Sequence, residues 1–192
     1  DVKEDGTKWG KEDFATLAGK TSENAGANFK YDYSYEELAN LLKKYVPSYI
    51  IEIEKLYKLI VFNYLFSNGD AHLKNFSLLE TKNGDYTLSP AYDLINTRIH
   101  VDDSDFALSK GLFKDNYISN EKKKSGKVGL GDFIEFAIRI GIDKENAIKL
   151  LTPFLENQEA VLKLIENSYL DEPTKRAYLL DYQTRRNQLN KQ

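Results

Sequence analysis

The longest helical pattern in the chain lies near its middle, and the rest of the fold has to pack around it. Apolar residues recur there at intervals of three and four, the spacing of one helix face. They are Ile50, Ile53, Leu56, Tyr57, Ile60, Val61, Tyr64 and Leu65. A stripe this wide predicts a helix that forms the spine of a hydrophobic core. The helix is expected to stop at Ser67-Asn68-Gly69, because glycine and asparagine tolerate the left-handed conformation that ends helices.

Shorter helical patterns flank this spine. Ser34 opens a Ser-Tyr-Glu-Glu capping pattern for a helix that Pro47 interrupts. Glu12 and Asp13 suit the first turn of a short helix near Phe14, where acidic groups favour the helix dipole. Further helices are predicted over 132–140, 144–155 and 159–168, and a last one from Glu172 toward the C-terminus. Residues 93–127 are expected to be irregular.

Two short strand patterns follow the spine directly. Phe76–Leu79 and Tyr86–Leu88 are joined through Asn83-Gly84, the dipeptide typical of a two-residue hairpin turn. The predicted fold class is therefore mainly α with one small β-hairpin, and the 192 residues fit one domain.

Composition excludes several classes of protein. The net charge of −3 argues against a strongly basic nucleic-acid binder, and the absence of cysteine excludes disulfides, thiol catalysis and cysteine-ligated zinc. No apolar run is long enough for a membrane span and no signal peptide is visible, so we expect no membrane partner. The absence of cysteine favours the reducing cytoplasm as the location. The chain also lacks methionine, which predicts that it is a piece of a longer protein.

A cluster of chemically active side chains follows the spine helix immediately. Asp70, His72, Lys74 and Asn75 occur within six residues, and Asp93 comes just after the second predicted strand. Each residue alone is compatible with ordinary turn chemistry or a solvated loop. A two-residue turn at Asn83-Gly84 would place Asn75 opposite Tyr92 and Lys74 opposite Asp93. This pairing brings Asn75 and Asp93 to one end of the hairpin.

This order of residues fits phosphoryl transfer. An Asp that orients the attacking hydroxyl, an Asn five residues later and a second Asp beyond a hairpin are the parts that a kinase uses. Asn75 and Asp93 would supply hard oxygen ligands to magnesium, which needs few ligands from the protein. Ideal pleating places these two side chains on opposite faces of the hairpin, so the chain must leave the ladder near Pro90.

The segment resembles the HipA-type serine/threonine kinases, which are toxins of bacterial toxin–antitoxin pairs. Their signature, Asp-x-His-x-Lys-Asn-Phe-Ser and then Pro-x-Tyr-Asp, stands here from Asp70 to Ser77 and from Pro90 to Asp93. The resemblance implies a HipA-like C-terminal kinase lobe that uses ATP and Mg²⁺. It implies Asp70 as catalytic base and Asn75 and Asp93 as metal ligands. It also implies that His72, Lys74 and Tyr92 lie close to the nucleotide.

The resemblance also implies partners. They are a protein substrate carrying the Ser or Thr hydroxyl, a HipB-like antitoxin, DNA only through that antitoxin, and an N-terminal kinase lobe in cis or in trans. No Gly-rich phosphate-covering loop follows a strand in this sequence, so we expect the chain to begin near the hinge between lobes. We therefore expect the chain alone to fold without being a working kinase.

Alternative functions remain open at this point. The same fold could serve as a non-catalytic module that binds an antitoxin or partner subunit. Nucleic-acid contact through 122–124 or the last helix is weakened by the acidic residues among its lysines and arginines. A serine hydrolase and a zinc protease lack their motifs, G-x-S-x-G and H-E-x-x-H.

Overall fold

The computed structural model describes residues 2–115, 117–156 and 158–190. Over these ranges the chain is about half helical and carries one small antiparallel sheet. The helices are α1 (Phe14–Leu17), α2 (Ser22–Ala25), α3 (Tyr35–Tyr45), α4 (Tyr49–Leu65), α5 (Asn120–Ser125), α6 (Leu130–Arg139), α7 (Lys144–Glu156), α8 (Glu159–Glu166) and α9 (Glu172–Asn190). The strands are β1 (Lys11–Asp13), β2 (Ser77–Glu80) and β3 (Tyr86–Leu88). The mainly α fold class is confirmed.

The spine helix α4 lies at the centre of the core, as the apolar stripe predicts. It packs against α3, α7, α9 and β3, and its residues from Ile53 to Leu65 are mostly buried. Ile50 was expected in the stripe but is 67% exposed, because it lies in the first turn next to the Pro47 connection. Glu52 is buried and accepts a hydrogen bond of 3.0 Å from the Leu88 N–H. This contact fixes the sheet against the spine.

Local capping explains where α3 and α1 begin. The Ser34 hydroxyl accepts from the Glu37 N–H while the Glu37 carboxylate accepts from the Ser34 N–H, so the predicted capping box is present. Asp13 caps α1 by accepting from the Thr16 N–H at 2.9 Å. Glu12, however, is not in that helix.

Glu12 lies instead in strand β1, which the sequence did not predict. This strand pairs antiparallel with β2, with Lys11 opposite Leu79 and Asp13 opposite Ser77. The sheet order is β1-β2-β3, so the expected hairpin forms two of three strands. A polar strand of three residues has no pattern of its own and forms because β2 offers an edge for it.

The hairpin register differs by one residue from the predicted register. Leu78, not Leu79, is opposite Leu88, and Thr81 N–H donates to the Asp85 carbonyl at 2.8 Å. The loop therefore contains Lys82, Asn83 and Gly84, and Gly84 has a φ of +78°. This is the three-residue hairpin loop that ends in a left-handed residue, whereas the prediction assumed a two-residue turn. The expected pairings of Asn75 with Tyr92 and Lys74 with Asp93 are wrong in consequence.

The C-terminal helices close the other side of the core. Phe133 and Phe136 of α6 are fully buried, and the Tyr64 hydroxyl donates to the Val128 carbonyl at 3.1 Å. The predicted boundaries of α6 to α9 are correct to within two residues. The short helix α5 lies in the stretch expected to be irregular, where the Ser119 hydroxyl caps it through the Lys122 N–H. No helix in the described ranges combines the length and the apolar character needed to cross a bilayer.

Candidate active site

The candidate site is built on the loop that leaves α4. Ser67 adopts a φ of +55°, which turns the chain out of the helix, and Asn68 to His72 then form an irregular loop. A short 3-10 turn over Leu73–Asn75 leads into β2. The turn from an apolar helix into a strand therefore presents several polar side chains within a few residues.

Asn75 and Asp93 are in direct contact. The Asn75 Nδ2 donates a short hydrogen bond to Asp93 Oδ2, and Asn75 Oδ1 accepts from the His72 N–H at 3.2 Å. Asp93 holds a φ of +57°, in the left-handed region that non-glycine residues rarely occupy. The predicted proximity of these two side chains is thus observed. Both strands leave the ladder before reaching them, one into the 3-10 turn and the other beyond Ser89.

Asp70 lies on the same loop. Its Oδ1 accepts a hydrogen bond of 2.7 Å from the Tyr31 hydroxyl, and its Oδ2 is 3.9 Å from His72 Nε2. The Asp70 side chain is 42% exposed, so one face of the carboxylate is open to an incoming group. The geometry suits a proton acceptor held on one side and free on the other.

A buried asparagine connects the two acidic residues. Asn68 is 4% exposed; its Nδ2 donates to Asn63 Oδ1 at 2.9 Å and to the Asp93 carbonyl at 3.0 Å. Its Oδ1 accepts from the Asp70 N–H at 3.2 Å. One side chain therefore holds the backbone of both Asp70 and Asp93.

His72 is buried beside this network. Burial lowers the pKa of His72, the Lys30 ammonium lowers it further, and the Asp70 and Asp93 carboxylates oppose the shift. Its Nδ1 has no hydrogen-bond partner among the described residues. A neutral imidazole at this position leaves a buried nitrogen available to a ligand polar group.

Lys74 and Tyr92 lie together on the side of the cluster that faces the sheet. Lys74 Nζ forms an ion pair of 2.6 Å with Asp13, and the Tyr92 hydroxyl donates to the Lys74 carbonyl at 2.8 Å. The Lys11 ammonium lies 4.0 Å from the centre of the Tyr92 ring. These contacts add Lys11 and Asp13 to the surroundings of the site.

The segment after Asp93 covers the other side of the loop. Gly69 N–H donates to Thr97 Oγ1 at 2.8 Å, and a Cβ at Gly69 would come within 2.4 Å of the Asp103 Cβ. Glycine is required at this point, because the Asp103 side chain lies where a Cβ of residue 69 would be. Residues 97–103 are therefore packed directly against the loop that contains Gly69 and Asp70.

Several residues of the site were not singled out from the sequence. Tyr31, Lys30 and Asp13 come from the polar N-terminal stretch and reach the loop only through tertiary structure. The sequence predicts Asn68 only as part of the signal that ends the helix, which agrees with its position. This signal does not predict its hydrogen bonds to the main chain of Asp70 and Asp93.

The oxygen donors fit a sparsely bound magnesium ion. Asp93 offers an exposed carboxylate. The Asn75 amide contacts this carboxylate at a position where a cation would balance the negative charge of Asp93. No three His, Asp or Glu side chains converge into a metal cluster within the described ranges. The residues at hand therefore suit a metal whose remaining ligands are phosphate oxygens and water.

Comparison with known proteins shows the family of the chain. The sequence model of the HipA-like C-terminal domain matches residues 1–162. The chain belongs to this HipA-like family. A protein of Haemophilus influenzae named "Putative kinase" is 26% identical over 181 residues, covering 86% of this chain and 50% of that protein. One of Sinorhizobium fredii, "Putative kinase Y4dM", is 33% identical over 97 residues, covering 50% of this chain and 22% of that protein. The HipA-like chain thus spans half or less of the length of these two relatives.

Two solved structures share the HipA-like fold. The complex of Shewanella oneidensis HipA, HipB and operator DNA matches with a TM-score of 0.66 and 19% identity, over 89% of this chain and 40% of that chain. The Helicobacter pylori proinflammatory kinase CtkA matches with a TM-score of 0.53 and 15% identity, over 97% of this chain and 70% of that chain. At these identities the matches establish the kinase-like fold alone.

Proposed function

We propose that the chain is the C-terminal catalytic lobe of a HipA-like kinase that transfers the γ-phosphoryl group of ATP to a Ser or Thr hydroxyl of a protein. The observation that carries the proposal is the direct contact of Asn75 with Asp93 beside the half-exposed Asp70. A base and two oxygen ligands close together are what phosphoryl transfer needs from this half of a kinase.

Asp70 is the proposed catalytic base. Its open Oδ2 would accept the proton of the substrate hydroxyl as that oxygen attacks, while Tyr31 occupies Oδ1. General-base catalysis contributes about 10²–10⁴-fold to a rate, so this carboxylate would account for a large part of turnover.

Asn75 and Asp93 are the proposed magnesium ligands. A bound magnesium ion supplies positive charge that draws the phosphate oxygens together and stabilises the charge that develops on transfer. The Asn75 amide carries an oxygen as well as the nitrogen that now faces Asp93, so both residues can offer hard ligands. Asn68 would keep Asp93 in its unusual backbone conformation for this purpose.

Lys74, His72 and Tyr92 are the proposed nucleotide contacts. Lys74 is about half exposed and paired with Asp13, so its ammonium could exchange this partner for a phosphate. The buried, unpartnered Nδ1 of His72 and the hydroxyl of Tyr92 add polar groups to the same cluster.

The remaining partners follow from the length and the relatives of the chain. The chain spans half or less of the length of the curated relatives that it matches, and we propose that the nucleotide is covered by an N-terminal lobe in cis or in trans. The Shewanella structure contains HipB and operator DNA, so a HipB-like antitoxin is the proposed partner and DNA would be reached only through it. Such a kinase would act in the cytoplasm, where ATP is available.

Radiolabel transfer from [γ-³²P]ATP by the full-length protein tests this function. Asp70→Asn should reduce incorporation about 10²–10⁴-fold, while Asp102→Asn, an exposed acid in the neighbouring segment, should leave it unchanged. Circular dichroism melting would establish that both variants are folded. Equal transfer by wild type and Asp70→Asn would refute the assignment, and antitoxin binding without any transfer would favour the non-catalytic module.

A further inference from the structure

Tyr31 lies 39 positions before Asp70 in the sequence but contacts it directly. Its hydroxyl donates to Asp70 Oδ1 at 2.7 Å, within the range of a strong hydrogen bond to a carboxylate. This bond leaves Oδ2 as the free oxygen, since His72 Nε2 is 3.9 Å away and too far for a direct hydrogen bond. Tyr31 therefore determines which oxygen of Asp70 faces an incoming hydroxyl.

The backbone around Tyr31 is held on both sides. The Leu73 N–H donates to the Lys30 carbonyl at 3.1 Å, and the Ser109 N–H donates to the Tyr31 carbonyl at 2.8 Å. The first of these bonds ties the segment to the 3-10 turn of the site. The Tyr31 ring also packs edge-on against His72, with 5.2 Å between ring centres. A tyrosine fixed in this way can orient a carboxylate on a half-exposed loop.

The electrostatic surroundings keep the phenol in its donor form. Burial raises the pKa of Tyr31, and the bond to Asp70 raises it further, while the Lys30 ammonium beside the ring lowers it. Because the net shift is upward, the hydroxyl stays protonated throughout the neutral range and can donate to Asp70.

We propose that Tyr31 is a positioning residue for the catalytic base, and that it acts by fixing the carboxylate plane of Asp70 so that Oδ2 meets the substrate hydroxyl. The inference rests on the proposed function. It concerns the geometry of the base and not the binding of the nucleotide, so Tyr31 should affect kcat and leave the KM for ATP unchanged.

The kinetic test compares Tyr31→Phe with Tyr33→Phe in the full-length protein. Both changes remove one hydroxyl from the same segment, but the Tyr33 ring lies near the Lys20 ammonium instead of Asp70. Tyr31→Phe should lower kcat by roughly 10- to 100-fold, the equivalent of one hydrogen bond to a charged group. The KM for ATP should stay within about twofold of wild type, and Tyr33→Phe should match wild type in both constants.

A titration that does not depend on activity tests the contact itself. In protein with ¹³C-labelled tyrosine, the NMR-detected pKa of Tyr31 should fall when Asp70 is changed to Asn, because the negative charge that raises it is gone. Lys30 and His72 face the same phenol and are present in both proteins. An unchanged Tyr31 pKa would overturn the inference.

The outcomes separate this inference from the proposed function. Active wild type, inactive Asp70→Asn and a wild-type kcat for Tyr31→Phe would overturn the inference and leave the function standing. Phosphate found on Tyr31 by mass spectrometry would also overturn it, because the Tyr31 hydroxyl would then be the acceptor of the phosphoryl group. Wild-type protein without any transfer would overturn both.

Discussion

The side chain of Asn68 donates a hydrogen bond of 3.0 Å to the main-chain carbonyl of Asp93, 25 positions further along the chain. The same side chain accepts from the Asp70 N–H. The candidate base and the candidate metal ligand are therefore held by one buried amide, so their separation depends on a residue that touches neither reacting group.

Replacing Asn68 should loosen the site and the fold together. Asn68→Ala leaves the Asp93 carbonyl and the Asp70 N–H without this partner, which should lower the free energy of unfolding by about 1–3 kcal/mol. Asn40→Ala, on the exposed face of α3, is the matched control and should change stability by less than about 0.5 kcal/mol. Urea unfolding measures both, and equal values for the two variants would contradict the role of Asn68.

Adding a methyl group at Gly69 should displace the segment packed against it. The new Cβ would lie 2.4 Å from the Asp103 Cβ, so Gly69→Ala should lower the melting temperature and reduce phosphoryl transfer. Adding Asp103→Gly removes the opposing Cβ and should restore much of both. If the double variant is no better than Gly69→Ala alone, the clash with Asp103 is not the cause.

Replacing Ser67 should stabilise the protein. Its φ of +55° is unfavourable for a residue with a side chain, and its buried Oγ has no hydrogen-bond partner in the part of the chain that the structure describes. Ser67→Gly removes both defects and should raise the free energy of unfolding by on the order of 1 kcal/mol. Ser67→Ala removes only the hydroxyl, so comparing the two by thermal unfolding separates backbone strain from the polar group. A Ser67→Gly protein less stable than wild type would show that neither defect is significant.

The ion pair of Asp13 with Lys74 should make stability depend on acid. Burial raises the pKa of Asp13, but the Lys74 ammonium and the Thr16 N–H more than offset this and lower it below its usual value. A carboxyl group with a lowered folded pKa stabilises the protein above about pH 4, and this stability is lost as the pH falls through the folded value. Asp13→Asn keeps an N-cap but removes the charge. The difference in the free energy of unfolding between wild type and this variant, measured by urea unfolding, should therefore shrink below about pH 4. In a Lys74→Gln background the same change should have a smaller effect above about pH 4, where Asp13 is ionised.

Nucleotide binding should be weak in the present chain alone. If the phosphate-covering loop belongs to an N-terminal lobe, as we propose, the chain offers a base and two ligands without the groups that close over the phosphates. Calorimetric titration of Mg-ATP should then show much tighter binding by the full-length protein. Micromolar affinity of the chain alone, about −8 kcal/mol, would contradict the proposal.

Features that depend on local sequence were predicted well. The capping box at Ser34, the break at Pro47 and the extent of α4 follow from patterns of a few neighbouring residues. The approach of Asn75 to Asp93 was also predicted, because a hairpin between them brings them together in any register near the observed one.

Features that a local pattern leaves ambiguous, or that depend on distant contacts, were missed. The register was wrong by one because Asn83-Gly84 suits both a two-residue and a three-residue loop, and the pairing of Thr81 with Asp85 selects the longer one. Strand β1 and Tyr31 had no signal, since the strand conformation of Lys11–Asp13 depends on β2 and the role of Tyr31 depends on Asp70.

The pairing of β1 with β2 has a consequence for the order in which the molecule folds. Helices α3 and α4 are neighbours in sequence and can pack early, whereas contacts such as Asp13 with Lys74 must close a loop of 61 positions. Loop closure delays contacts of long sequence separation, so the sheet edge should dock late in refolding and exchange its amide protons faster than the spine. The candidate site would then be able to open through local unfolding while the helical core remains intact.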